Sequence, residues 1–175
     1  MRKVVYGGAA SLDNTLSPPD RSMDWLRWSA EAGGIMMESW KNFDAILMGR
    51  KTYEIACQNN QTEGFAGVGC YVFSRSPETP VAEGVTLVTE DAEGFLRELK
   101  AREGKDICLM GGGDLARTFF EAGLIDEVGL NLHPILLGSG VPVFHELSRR
   151  IELELLECRP LPHGCVYVRY RVVHP

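Results

Sequence analysis

The sequence predicts a three-layer α/β/α fold in one domain over residues 1–175, with a mostly parallel central sheet and an antiparallel C-terminal hairpin. Three observations predict it. Short apolar runs alternate with amphipathic ones from Lys3 to Leu132, as when strands are joined by crossover helices. Around Pro160-Leu-Pro-His-Gly164 the flanking residues alternate apolar and polar, which is a hairpin signature. Within the alternating stretch, the apolar run up to Met110 ends in Gly111, Gly112 and Gly113 before a helical stretch. A strand that turns into a helix through bare glycines leaves its backbone N–H groups open to a phosphate. The alternative for that turn, taken alone, is a tight connection that binds nothing.

In chain order, Lys3 to Ala10 reads as the first strand and runs into the turn cluster Ser11-Leu-Asp-Asn-Thr15. Residues 16 to 24 read as loop, because Pro18-Pro19 bars regular structure. A helix is expected over 29 to 42 although Gly33-Gly34 interrupt it, followed by a short buried strand at Ala45 to Met48. Gly49-Arg-Lys-Thr52 opens a helix that reaches Cys57, and 58 to 68 is a loop rich in Asn, Gln and Gly. Cys70 to Phe73 and Val85 to Val88 are strands, and Asp91 to Arg102 is an amphipathic helix with an acidic start. Ile107 to Met110, Leu115 to Ala122 and Glu127 to Leu132 follow as strand, helix and strand. Glu152 to Arg159 and Val166 to Val173 are the hairpin strands. Val166, Val168 and Tyr170 on one side are expected to support a homodimer across an edge.

Composition narrows the function. A net charge of −6 argues against a nucleic-acid surface, which needs clustered Lys and Arg. No run approaches the roughly 18 consecutive apolar residues that a membrane span requires. Met1-Arg-Lys-Val-Val-Tyr-Gly7 enters a strand-like run directly, without a signal-peptide pattern, so a cytoplasmic protein is expected. The 5 cysteines are odd in number and lack CxxC spacing. They read as buried free thiols in a reducing compartment, with no metal or redox site.

Three strand ends suit a nucleotide. After the first, Gly49 permits close approach while Arg50, Lys51 and Thr52 can donate to phosphate, although Thr52 can equally be a helix cap. After the second, Ser74 and Arg75 are placed to take a 2′-phosphate, the group that separates NADP from NAD. A solvated arginine at a turn is the plain alternative. The third is the glycine turn. In open α/β sheets ligands bind at the carboxyl ends of strands, so all three loops face one edge. Neither GxGxxG nor GxxxxGK[ST] occurs, which disfavours a standard Rossmann domain or P-loop NTPase.

Six blocks in order then carry a resemblance. They are Ser11-Leu-Asp13, Leu47-Met-Gly-Arg-Lys-Thr-Tyr-Glu54, Tyr71-Val-Phe-Ser-Arg75, Met110-Gly-Gly-Gly-Asp-Leu115, Leu124-Ile-Asp-Glu127 and Pro134-Ile-Leu-Leu-Gly-Ser-Gly140 with Pro142 and Phe144. Across nearly the whole chain the sequence resembles the dihydrofolate reductase-like fold, and more closely the C-terminal reductase domain of the bifunctional riboflavin-biosynthesis deaminase-reductase and its stand-alone relatives. The resemblance implies an NADPH-dependent reductase delivering hydride to a small heterocycle. It implies cofactor contacts at Gly49, Arg50, Thr52, Ser74, Arg75, Gly111, Gly112, Gly113, Asp114 and Leu115. Ala10, Ser11 and Asp13 would lie near the nicotinamide or substrate. The specific expectation is a riboflavin-type pyrimidine reductase; the alternatives are a pterin or dihydrofolate reductase and a nucleotide-binding protein without turnover. Relatives usually have Asp-Gly where this chain has Asp13-Asn14, and Asn is the next best residue at a positive φ. The zinc-deaminase signature is absent.

For the carboxylate that orients or protonates substrate, Asp13, Asp24 and Glu31 are the candidates, with Glu38 beside them; each is otherwise a solvated residue, or for Asp13 an Asx-turn. Trp25, Trp28 and Trp40 flank the expected pocket, where Trp25 can wall a flat ring, while core packing accounts for Trp28 and Trp40. His133 reads as a structural hydrogen-bonder, and Asp126-Glu127 as turn or interface residues.

Overall fold

The computed structural model describes residues 1–59 and 67–174. Most of the loop expected over 58 to 68 therefore lies outside the described residues. The first half of the chain comprises β1 (Val4–Ser11), β2 (Thr15–Ser17), α1 (Ala30–Trp40), β3 (Phe43–Gly49), α2 (Arg50–Gln58), β4 (Gly69–Phe73) and β5 (Val85–Val88). The second comprises α3 (Ala92–Ala101), β6 (Asp106–Gly111), α4 (Gly113–Glu121), β7 (Glu127–His133), β8 (Val141–Pro142), β9 (Leu153–Pro160) and β10 (Val166–Val172).

Eight strands make one sheet in the order β5–β4–β3–β6–β1–β7–β10–β9. Every pairing from β5 to β7 is parallel, and β10 runs antiparallel to both β7 and β9. This is the predicted three-layer arrangement. Parallel strands are buried on both faces, and β3 shows it residue by residue. Ala45 and Leu47 join the main core with Leu96 and Leu99 of α3 and Phe119 and Phe120 of α4. Ile46 and Met48 point the other way, against Tyr53 and Ala56 of α2. On that second face α1 packs through Ala32 and Ile35 onto Leu161, Cys165 and Tyr167.

The differences from expectation are local. Ser17 is extended where loop was expected, because β2 pairs with the two-residue β8, Thr15 opposite Pro142. The glycine pair does not break α1, which is capped by Ser29 accepting the Ala32 N–H. Asn14 does take the predicted left-handed conformation, at φ 65°. Val166, Val168 and Tyr170 are not at an edge. Their strand β10 is paired on both sides, and the edge at that end of the sheet is β9, where Leu153 and Leu155 face solvent. All five cysteines are free, but Cys57 and Cys158 are exposed, a correction to the buried reading. Trp28 is also no core residue, at 58% exposure. Asp126 and Glu127 belong to intramolecular ion pairs: Asp126 with Lys100, and the buried Glu127 with Lys3 at 2.8 Å and Arg169 at 3.5 Å. Among the described residues no helix is long and apolar enough to cross a membrane.

Candidate functional site

Two helices start side by side at the carboxyl edge of the sheet. β3 and β6 are neighbours, with Met48 opposite Gly111, so α2 and α4 begin next to one another. Their N-caps are Gly49 and Gly112, and neither supplies a capping side chain. α3 differs, because Asp91 accepts the Gly94 N–H there at 2.9 Å. The first amides of α2 and α4 are therefore left for another acceptor, and the partial positive charge of both helix starts falls on one place. The two loops are close: a Cβ on Gly112 would lie 3.5 Å from the Gly49 nitrogen. Gly112 sits at φ 95° and Gly111 at φ 147°, conformations that side chains disfavour. A Cβ on Gly111 would also meet Thr52 Oγ1 at 3.3 Å.

The helix starts open onto a cleft of about 730 Å³. Of the residues predicted to hold a cofactor, Gly49, Arg50, Thr52, Ser74, Arg75, Gly112, Asp114 and Leu115 line it together. Gly111 and Gly113 are buried, and Ala10 is fully buried in the main core. Ser74 Oγ is taken up in its own turn, 2.6 Å from Thr79 Oγ1 and accepting the Ser76 N–H at 3.1 Å. The cleft's cations divide. Arg50 lies 3.5 Å from Glu54 and Arg117 2.8 Å from Asp114, whereas Lys51 and Arg75 have no ion pair among the described residues. Sequence reading missed the far wall, formed by Val88 to Ala92 with Arg117 and Thr118. The available signal was that β5 runs parallel to β4, so its carboxyl end reaches the same edge.

Beside this cleft the sheet divides. β1 pairs with β6 only over Val4 to Tyr6, but with β7 as far as Ser11. Beyond Tyr6 and Leu109, β6 stays with β3 while β1 stays with β7. Gly8 consequently sits on an interior strand yet is exposed, with no atom within 4 Å of where a Cβ would be. Such a division at a change of strand order is where open α/β sheets admit flat ligands.

The end of β1 is anchored by Asp13. Its carboxylate accepts the Leu137 N–H at 3.2 Å, the Gly138 N–H at 2.7 Å and the Ser11 hydroxyl at 2.5 Å. These bonds, the Ser11 hydroxyl foremost, hold the carboxyl below the usual carboxylate range. Ser11 Oγ in turn accepts the Thr15 N–H at 3.0 Å. Asp13 thus ties the loop after β1 to the loop after β7.

The other candidate carboxylates stand apart. Asp24 and Glu31 are exposed, and no hydrogen bond holds either side chain among the described residues. Glu38 pairs with Lys41 at 2.8 Å. Trp25 is buried, packed edge-on against His133 with ring centroids 5.3 Å apart, and Trp40 packs edge-on at 6.3 Å from Phe43. His133 Nδ1 accepts the Arg27 backbone N–H at 3.1 Å, which places the ring proton on Nε2 in the neutral form. Burial, with the Arg27 charge adding to it, pushes the His133 pKa down.

A divided parallel sheet, two uncapped helix starts and an arginine turn at one edge define a dihydrofolate reductase-like fold with a nucleotide-sized cleft. The RibD C-terminal domain family matches residues 2–167. The chain belongs to that family. It is 35% identical to the uncharacterized protein YwjB of Bacillus subtilis, over 88% of this chain and 89% of the relative. A Shewanella sp. PV-4 protein provisionally ascribed to riboflavin biosynthesis superposes with a TM-score of 0.81 at 24% identity, covering 99% of this chain and 100% of the other. The deaminase/5-amino-6-(5-phosphoribosylamino)uracil reductase of Thermotoga maritima gives 0.71 at 17% identity, covering 98% of this chain and 57% of that one. Dihydrofolate reductase from Enterococcus faecalis, solved with NADP(H), gives 0.69 at 16% identity, covering 97% and 96%. Family and fold neighbours together support an oxidoreductase of the riboflavin-pathway type.

Proposed function

We propose that the protein is an NADPH-dependent reductase of a small heterocycle, of the 5-amino-6-(5-phosphoribosylamino)uracil type. One observation carries this reading: both uncapped helix starts, with Lys51 and Arg75, which have no ion pair among the described residues, converge on one cleft beside the opening at Gly8. The amides of α2 and α4 would hold the pyrophosphate, with Gly49 and Gly112 letting it come close. Arg75, exposed and with no ion pair among the described residues, would hold the 2′-phosphate. When bound, the cofactor supplies a hydride to a polarised C=N or C=O carbon. The protein's part is to position the two rings. The proton can come from water, since no carboxylate named above is both free and sheltered beside Gly8. An NADP(H)-bound reductase among the fold neighbours supports the cofactor, and the family supports the substrate class.

Titration with NADPH and NADH, followed by tryptophan and nicotinamide fluorescence, tests the reading. NADPH should bind in preference to NADH, and Arg75→Ala should abolish the preference. Absence of binding by either cofactor would overturn it.

A further inference from the structure

Three buried side-chain polar atoms have no hydrogen-bond partner among the described residues: Asn131 Oδ1, His133 Nε2 and Arg169 Nε. The last belongs to a guanidinium whose Nη atoms already lie 3.5 Å from Glu127 and 3.8 Å from Glu157. The other two are unmatched by anything nearby, and they are neighbours. Asn131 and His133 stand two apart on β7 and so share a face, opposite Ala9 and Ser11 of β1. That face is the one α1 covers: His133 meets Cys165, which packs with Ala32 and Ile35 of α1. The floor beside them is made of small residues, Gly7 opposite Gly129 and Ala9 opposite Asn131. The same stretch of β1 has parted from β6.

We infer that Asn131 and His133 are the specificity-determining pair for the heterocycle, reading a ring edge that presents a carbonyl beside an N–H. The chemistry follows from the two orphaned atoms. With Nδ1 taken by the Arg27 amide, Nε2 carries the proton and can only donate, so it calls for a carbonyl oxygen. Asn131 Oδ1 can only accept, so it calls for an N–H. A lactam or imide edge supplies both together, as a pyrimidinedione does. Trp25 stands edge-on to the His133 ring, in a segment tied to β7 by the Arg27 bond. A buried polar pair left unmatched is strongly selective, because any ligand lacking the complementary groups leaves it unpaired.

This deepens the reductase reading by naming the edge its substrate must present, and it is tested separately from the cofactor. Calorimetric titrations, with and without NADPH, compare 5,6-diaminouracil with 5,6-diamino-1,3-dimethyluracil, which has lost both ring N–H groups. Wild type should bind the first about ten-fold or more tightly than the second, and Asn131→Leu should remove the difference. Because a substitution at a buried site can unfold the chain, the wild-type protein labelled with ¹⁵N-histidine gives a second reading. The His133 Nε2–H resonance should move downfield with 5,6-diaminouracil. Failure to bind 5,6-diaminouracil, equal affinity for the two uracils, or an unmoved resonance would each overturn the inference. NADPH binding in the same samples decides the reductase reading on its own.

Discussion

Gly113 shows how little freedom the glycine turn has. A Cβ there would sit 2.5 Å from His145 Cδ2 and 2.8 Å from the Pro142 carbonyl oxygen, and the oxygen cannot swing aside. Gly113→Ala should therefore cost about 1–3 kcal/mol, read as a lowered midpoint in denaturant. A matching wild-type midpoint would mean that the 142–145 segment yields. His133 gives a pH dependence of definite sign. An unfolded imidazole titrates near ~6.5 and the folded one lower, because burial opposes its charge. Above the unfolded value both states are neutral and nothing is lost. As pH falls below about 6.5 the unfolded state takes the proton first, so stability declines until the folded ring also titrates. Melting curves from pH 8 to 5 should show this decline, and His133→Gln should remove its share. An identical slope in the variant would place the titration elsewhere.

α1 is the element where propensity and position disagree. Gly33 and Gly34 lie inside it with nothing within 4 Å of where a Cβ would be, so no contact requires glycine at either place. Each costs the helix about 0.5–1 kcal/mol relative to alanine. Gly33→Ala and Gly34→Ala should each raise stability by about that amount in urea titrations. A fall would show that a Cβ meets something the free chain lacks. Elsewhere the elements were legible in sequence because their signals are local. Asp91 reads as an acidic helix start and turns out to cap α3, and the apolar run before Gly111 reads as a strand and is one. β2 was not legible. Three residues carry no periodicity, and only the pairing with Val141 and Pro142, far along the chain, makes them a strand.

At the scale of the whole molecule, the sheet ends in β9, whose outer groups are unpaired and whose Leu153 and Leu155 are 42% and 55% exposed. An edge of this kind is a template for a second chain. We propose that two copies meet there rather than across β10. Sedimentation at micromolar concentration should give a dimer for wild type and a monomer for Leu155→Lys, while a wild-type monomer would exclude the contact.

The sequence by itself determined the order of the eight main-sheet strands and the four helices, the glycine turn and the loops at one sheet edge. Each of these depends on residues within a few positions of one another. Only the tertiary structure decided which of those residues are free to act. Asp13 reads in sequence as a substrate carboxylate or an Asx-turn, and its oxygens meet amides at 137 and 138, a partnership no local pattern records. Among the cleft's cations, neighbours on the same helix occupy Arg50 and Arg117 and leave Lys51 and Arg75. The parting of β1 from β6 and the unmatched atoms of Asn131 and His133 arise from packing between segments about 100 residues apart or more, since Arg27 reaches His133 across 106 positions. A polar atom's satisfaction is a property of everything that surrounds it, and that is settled only when the chain closes on itself.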